Sequence, residues 1–249
     1  MILKEIMDEM KRIVEKKHIP GFIFGILLIA VFLGEGCSNG RLKADISKKN
    51  IIVNGNFETN SISPSWRKEG ELCFLTETEP LSGKISFQHL ANGGALKQAF
   101  EPVSGDGLTV SMLFAQEAIP PGDRGLNFLI WDKGARNSSI NLRVVNGGDG
   151  FGNIECYSNA IGWKTVLDGA VTWGKTHTLT LTFNSFGDMN TFDYDIAVDD
   201  YKATNLNLHH GLTDTDTSPG MFAVQELYFK GGNSKVGKYK LDNVIVALP

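Results

Sequence analysis

The chain has 249 residues, a net charge of −4 and an aromatic content of 10%. It contains no run or stripe rich in lysine and arginine, which argues against a nucleic-acid partner. The length exceeds that of a miniature disulfide scaffold. The chain after residue 36 suits one large β domain.

Residues 1–36 are predicted to be an export signal or a membrane anchor helix. Gly21–Leu33 carries no charge, yet it is shorter than the roughly 20 apolar residues that span a bilayer. Lys16 and Lys17 stand just before this run as a basic flank, as in secretory signals. Cys37 follows within the small-residue segment LGEGCSNG. The bulk of the chain is therefore expected outside the cytoplasm, in the cell envelope.

The segment that ends at Cys37 resembles a bacterial lipoprotein signal, which implies that this cysteine is lipidated and becomes the mature N-terminus. Gly34 and Glu35 depart from that pattern, which usually has leucine three residues before the cysteine. A short anchor that is never cleaved is the alternative. By analogy with Gram-negative sorting, Ser38 points to the outer membrane. In both cases the membrane is a partner through an N-terminal lipid or anchor.

Residues 37–49 form a polar, basic tether that precedes the domain. With Cys37 lipidated, Cys73 and Cys156 are left as an even pair in a compartment that permits a disulfide. Two buried free thiols are the open alternative. No further cysteine is present to complete a zinc site.

Within residues 50–249, apolar side chains repeat with period two, which is typical of half-buried strands. The run 176–184 (THTLTLTFN) and the run 192–200 (FDYDIAVDD) predict an antiparallel hairpin. In Leu126–Trp131 the alternation places Trp131 on the face opposite the apolar residues. Further strands are predicted at Ile51–Val53, Lys84–Leu90, Ala95–Phe100, Leu108–Phe114, Ile140–Val144, Ile161–Leu167, Phe222–Phe229 and Tyr239–Ala247.

No part of this region shows helical periodicity, and about a dozen short strands predict an all-β, two-sheet antiparallel sandwich. The glycine-rich segment Asn146–Asn153 is interpreted as a turn whose Asp149 could face a cation. His209 and His210, with Asp214 and Asp216 downstream, match no established metal motif and are interpreted as part of a solvated loop.

Two motifs at opposite ends of the domain, NGNFE (residues 54–58) and KLDNVIV (residues 240–246), together resemble extracellular jelly-roll sandwiches, including carbohydrate-binding modules. In such domains the first and last strands are neighbours. The stretch from Trp173 to Asn205 resembles laminin-G-like and concanavalin-A-like sandwiches. These resemblances imply a jelly-roll, concanavalin-like fold for residues 50–249.

The jelly-roll resemblance also implies a structural calcium ion near the N-terminal motif. Carried over to this chain, its ligands would be Glu58, Asp242 and backbone carbonyls around Asn56. Calcium prefers six to eight oxygen ligands, which carboxylates from the two chain ends could help to supply.

Exposed aromatic rings suit the flat apolar faces of sugars, and nearby amides or carboxylates suit their hydroxyl groups. Trp131 is the first candidate, with Asp132 next to it. Tyr157 and Trp163 could form a second platform. Trp66 and Trp173 are predicted to be packing residues at strand starts.

Three functions remain open from the sequence. The favoured one is a non-catalytic surface domain that binds carbohydrate or another extracellular polymer. A structural or adhesive envelope protein without a small ligand is the second. A glycan-active hydrolase or lyase is third, because the motifs E-x-D-x-x-E and G-x-S-x-G are both absent.

Overall fold

The computed structural model describes residues 50–59, 61–90, 94–133, 138–148, 150–188, 190–211 and 220–249. The predicted signal, the lipidation site Cys37 and the tether lie outside these residues, as do Asp149, Asp214 and Asp216.

Within the described part of the chain, no helix is long and apolar enough to cross a membrane.

The described residues form fourteen β-strands and no helix. In chain order they are β1 (Arg67–Glu69), β2 (Cys73–Thr76), β3 (Ser86–His89), β4 (Ala95–Val103), β5 (Thr109–Gln116), β6 (Arg124–Asp132), β7 (Ser138–Gly148), β8 (Phe151–Ser158), β9 (Gly162–Thr172), β10 (Thr176–Ser185), β11 (Asp193–Val198), β12 (Tyr201–Leu206), β13 (Val224–Gly231) and β14 (Tyr239–Ala247).

The strands make two seven-stranded sheets. Sheet I has the order β1-β4-β13-β6-β7-β8-β9, and sheet II has the order β12-β11-β10-β5-β14-β3-β2. Every strand pair in both sheets is antiparallel. The predicted two-sheet antiparallel β-sandwich is therefore confirmed.

Alternation along the strands builds the core, because every second side chain of each sheet points to the facing sheet. Phe128 of β6 and Phe229 of β13 stack there with ring centroids 4.8 Å apart. Trp66 packs against Phe229, and its indole N–H donates to the carbonyl of Asn54. Burying a large apolar side chain contributes about 1.5–3 kcal/mol, so these rings are a main source of stability.

The predicted hairpin is confirmed, since β10 pairs with β11 and Leu181 lies opposite Ile196. The prediction of a strand at Ile51–Val53 is wrong, because this segment forms a turn. Asn50 makes one β-bridge to Ala247. Its side-chain oxygen accepts hydrogen bonds from two backbone N–H groups, which in a regular strand would donate to backbone carbonyls instead. The start of the domain is nevertheless next to the last strand, as the resemblance implied.

Strands β1, β2, β8 and β12 were not predicted from the sequence. The reason is clearest in β8, where glycines give the segment the composition of a loop. Gly152 lies within β8, and a Cβ atom there would come within 2.6 Å of the ring of Trp173. The glycine is therefore required by close packing, and most of the glycine-rich segment is strand.

Cys73 and Cys156 are both free and buried, which is the second of the two alternatives left open by the sequence. The thiol of Cys73 in β2 is 3.8 Å from the carbonyl oxygen of Ala95. The thiol of Cys156 in β8 instead lies 3.2 Å from the hydroxyl of Tyr194. Burial raises the pKa of Cys156 to about 12, so this thiol stays protonated at neutral pH.

We expect Phe229→Ala to lower the free energy of unfolding by about 3–5 kcal/mol, because the truncated ring leaves a cavity against Phe128 and Trp66. Urea unfolding followed by tryptophan emission measures this loss. Val236→Ala is the control, because this side chain is 57% exposed and the change should stay within about 0.5 kcal/mol. Equal losses in the two variants would contradict the described core.

Candidate functional site

One outer surface of the sandwich carries a group of half-buried aromatic rings. On β6, β7, β8 and β13 the residues facing inward are apolar, whereas the alternate residues point away from sheet II. These outward positions place three rings on the same side of sheet I, and Trp163 of β9 joins them as the register partner of Tyr157. We call this surface the aromatic face, and its rings are Trp131, Tyr157, Trp163 and Tyr228.

Strand register fixes where the rings lie relative to one another. Tyr228 pairs with Leu129 of β6, Leu129 pairs with Asn141 of β7, and Tyr157 of β8 pairs with Trp163 of β9. Trp131 is two residues further along β6. With strands about 4.8 Å apart and a rise of about 3.3 Å per residue, Trp131 and Trp163 are roughly 16 Å apart.

Tyr157 and Trp163 form an edge-to-face pair with ring centroids 5.3 Å apart. His210 packs edge-on against the other side of Tyr157 at 5.1 Å. Edge-to-face contact is a preferred geometry for aromatic pairs and contributes about 0.5–1.5 kcal/mol beyond area burial. The pair is therefore held in a defined orientation at the end of the β8–β9 hairpin.

Arg143 of β7 stacks on the indole of Trp163, with the guanidinium carbon 3.7 Å from the ring centroid. The same guanidinium binds Glu155 of β8, with Nε 2.7 Å and Nη2 2.6 Å from Oε2. Arg143 and Glu155 are register partners, which brings the two charges together. The stacked cation and its carboxylate fix the indole in place.

Trp131 is flanked by a second ion pair. The ammonium group of Lys133 lies 5.9 Å from the centre of the Trp131 ring and 2.6 Å from a carboxylate oxygen of Glu226. Glu226 is the register partner of Trp131 on β13. The charges beside this ring are thus balanced before any ligand arrives.

Tyr228 marks the far end of the aromatic face, between the ammonium groups of Lys97 and Lys230 at 5.7 and 6.0 Å from its ring centre. Lys97 also lies 2.5 Å from Glu69, and this hydrogen bond holds the pKa of the Glu69 carboxyl below its usual value. Burial raises the pKa of Tyr228, and the Glu69 carboxylate adds to that shift.

Uncharged polar groups lie between the rings. The side-chain oxygens of Asn127, Asn141 and Ser139 are buried and accept no hydrogen bond. Leu129, at the centre of the aromatic face, is 5% exposed because its longer neighbours cover it. The residues Asn127 and Asn141 themselves are half-buried, so their amide side chains keep some surface beside the aromatic rings.

The structure brings together three of the four residues proposed as ligand-binding candidates. Trp131, Tyr157 and Trp163 share the aromatic face. The prediction that Trp131 lies on the face of β6 opposite the apolar residues is confirmed. Trp66 is buried and Trp173 packs against the core, as predicted.

Asp132 is not part of the aromatic face. It is 2% exposed and points to the opposite side of β6 from Trp131. Its Oδ2 accepts hydrogen bonds from the backbone N–H groups of Phe222 at 2.7 Å and Ala223 at 3.2 Å. The carboxylate therefore holds the segment that leads into β13, because its oxygen accepts from two backbone N–H groups of that segment.

Tyr228 and the polar groups of the aromatic face were missed as site residues. The signal was present in part, since Asn141 and Arg143 alternate with apolar residues in the sequence of β7. Glu226, Tyr228 and Lys230 repeat that alternation on β13. What sequence could not supply is the strand order that places β13 beside β6.

Glu58 and Asp242, the residues expected to share calcium, bind the same loop. Glu58 Oε1 accepts from the backbone N–H groups of Lys84 at 2.8 Å and Ile85 at 3.1 Å. Asp242 Oδ2 accepts from Ser82 N–H at 3.0 Å and the Ser86 hydroxyl at 2.8 Å. Burial, and to a lesser extent Glu58, raises the pKa of Asp242 to about 6. These bonds close the loop between the first and last segments of the domain.

A calcium ion at this position would have to replace hydrogen bonds that the carboxylates already accept. Among the residues that the structure describes, no group of three or more His, Cys, Asp or Glu side chains is placed to hold a metal ion. Calcium binding through Glu58 and Asp242 stays a prediction of the resemblance.

No model of a known protein family matches the chain, and no curated protein matches it either. Solved structures give weak similarities. One is the carbohydrate recognition domain of Emp47p, with 13% identity over 81% of this chain and 95% of that chain and a TM-score of 0.47. A second is domain 4 of AbnA, a GH43 extracellular arabinanase from Geobacillus stearothermophilus, in complex with arabinotriose. It has 14% identity over 78% of this chain and 92% of that chain, with a TM-score of 0.43. A third is the carbohydrate-binding module CBM66 from Bacillus subtilis, with 13% identity over 74% of this chain and 96% of that chain and a TM-score of 0.38. All three TM-scores lie below 0.5, so we take the function from this chain's own residues.

We expect Asp132→Ala to lower the free energy of unfolding by about 1–3 kcal/mol, because two backbone N–H groups lose a buried carboxylate acceptor. Trp131→Ala should cost less, since that ring is already half exposed. Thermal unfolding of both variants followed by circular dichroism measures the difference. An Asp132→Ala variant as stable as the parent would mean that this carboxylate is free for another role.

Proposed function

We propose that this chain is a non-catalytic carbohydrate-binding protein of the cell envelope, with the aromatic face as its binding surface. The observation that carries the proposal is the grouping of four half-buried rings with the half-buried amide side chains of Asn127 and Asn141 on one sheet. The apolar run before Cys37, with its basic flank, supports export and attachment to a membrane by a lipid or an anchor.

A polyhydroxylated ligand matches both kinds of group on the aromatic face. The C–H side of a sugar ring is apolar and can lie on an aromatic ring, which provides a large rigid contact area at low entropic cost. Sugar hydroxyls can exchange hydrogen bonds with the exposed part of half-buried amide side chains such as those of Asn127 and Asn141. A flat apolar ligand would offer those amides no hydrogen bond.

The carboxylates of the aromatic face are poorly placed for glycoside cleavage. Glu155 and Glu226 lie three strands and four residue positions apart in the register of sheet I. That corresponds to about 20 Å, given the spacing between strands and the rise along them. Glycosidases hold their two carboxyl groups about 5–9.5 Å apart. The geometry therefore supports binding over hydrolysis at this surface.

We expect Trp131→Ala and Trp163→Ala each to weaken polysaccharide binding at least tenfold, because central aromatic contacts carry most of the energy of an interface. Affinity electrophoresis through gels that contain β-glucan, xylan, galactan or arabinan measures the effect as lost retardation. Tyr201→Ala is the matched control, because this ring is 49% exposed on β12 of sheet II.

Retardation that is equal in the Trp131→Ala variant and the parent would place binding elsewhere. A parent protein that no polysaccharide retards would overturn the proposal in favour of a structural or adhesive envelope protein.

We also expect affinity to rise with chain length from monosaccharide to oligosaccharide. The roughly 16 Å between Trp131 and Trp163 exceeds the width of one sugar ring, so several linked units are needed to contact both. Calorimetric titration with an oligosaccharide series of the polymer that binds in the gels measures this dependence. A monosaccharide that binds as tightly as the longest oligomer would indicate a single pocket instead.

A further inference from the structure

The charged groups of the aromatic face indicate which class of polysaccharide it takes, an inference that rests on the proposed function. We infer that the face is built for an uncharged glycan and excludes acidic ones such as polyuronates. Three features support this inference: the pairing of the cations, the burial of the carboxylates that pair with them, and the lack of charge on the side chains between the pairs.

The first cation, Arg143, is fully engaged before a ligand binds. Its guanidinium is covered on one side by the Trp163 ring and bonded through two nitrogens to one oxygen of Glu155. The side chains of Arg143 and Glu155 are only 14% and 19% exposed. A ligand carboxylate that approached Arg143 would have to displace Glu155 or lie beside it, with like charges in a partly desolvated site.

The second cation, Lys133, is also paired beside Trp131, and its side chain is 45% exposed. Its partner Glu226 has a side chain that is 9% exposed, so the carboxylate is shielded from water. A buried carboxylate repels an incoming anion more strongly than an exposed one, because water screens it less. Both ends of the surface from Trp131 to Trp163 therefore have zero net charge.

One cation of the face, Lys230, has no ion pair among the described residues. It lies on β13 over Tyr228, away from the line between Trp131 and Trp163, and is the register partner of Asn127. Between the two ion pairs the half-buried polar side chains are the amides of Asn127 and Asn141. These groups carry no charge and match hydroxyls.

The test uses the full-length protein in affinity electrophoresis against neutral polymers (β-glucan, xylan, galactan and arabinan) and acidic ones (polygalacturonate and alginate), each in 20 mM and 500 mM NaCl. We expect at least one neutral polymer to retard the protein, with an affinity that changes less than twofold between the two salt concentrations. Acidic polymers should give no retardation.

The outcomes separate this inference from the proposed function. Retardation by acidic polymers alone, lost at high salt, would overturn the inference and leave carbohydrate binding in place. No retardation by any polymer would overturn both.

A charge-altering variant provides a second measurement. Glu155→Gln releases Arg143 from its ion pair, and we expect it to gain salt-sensitive retardation by polygalacturonate while still binding the neutral polymer. Glu71→Gln makes the same change in net charge at a side chain that is 96% exposed and paired with Lys68. Glu226→Gln repeats the experiment at Lys133 should Glu155→Gln fail to fold. No gain in either face variant would contradict the role of the ion pairs.

Discussion

The two-residue alternation along the central strands of sheet I is the constraint on which the rest of the structure depends. One set of side chains must fill the space between the sheets, and Phe128 stacked on Phe229 is its centre. Once these rings set the register of β6 against β13, every outward residue of the two strands has a fixed neighbour. Trp131 then lies beside Glu226, and Tyr228 beside Leu129. The core thereby determines the layout of the opposite surface.

The same register makes the aromatic face rigid. Arg143 meets Glu155 because β7 and β8 pair at that position, and the guanidinium then supports the Trp163 ring. Preorganised rings lose little entropy when a ligand binds, which favours affinity. Pairing of the charges has a further effect, because the half-buried side chains left between the ion pairs, such as Asn141, are uncharged. Fixed rings and uncharged amides together describe a surface for a polyhydroxylated, uncharged ligand.

Much of the fold could be predicted from sequence, because period-two alternation is a local signal, and the β10–β11 hairpin is an example. The parity of Trp131 followed from the same signal. β8 was not predicted, because a glycine-rich segment has the composition of a loop. Only the nearby Trp173 ring explains why Gly152 is required. Asp132 was predicted to bind the ligand because it is next to Trp131 in the sequence. The alternation along β6 instead directs its side chain to the interior. Tyr228 joins the site only through the order of strands, which local sequence does not encode.

The four tryptophan indole N–H groups provide the most direct test of the central claim, because two lie on the aromatic face and two pack against the core. The measurement is a heteronuclear NMR spectrum of the ¹⁵N-labelled protein during titration with an oligosaccharide of the polymer that it binds. The indole signals of Trp131 and Trp163 should shift with saturation, while those of Trp66 and Trp173 stay in place. Shifts confined to Trp66 and Trp173, or binding that leaves all four signals unmoved, would contradict a binding surface on this face of sheet I.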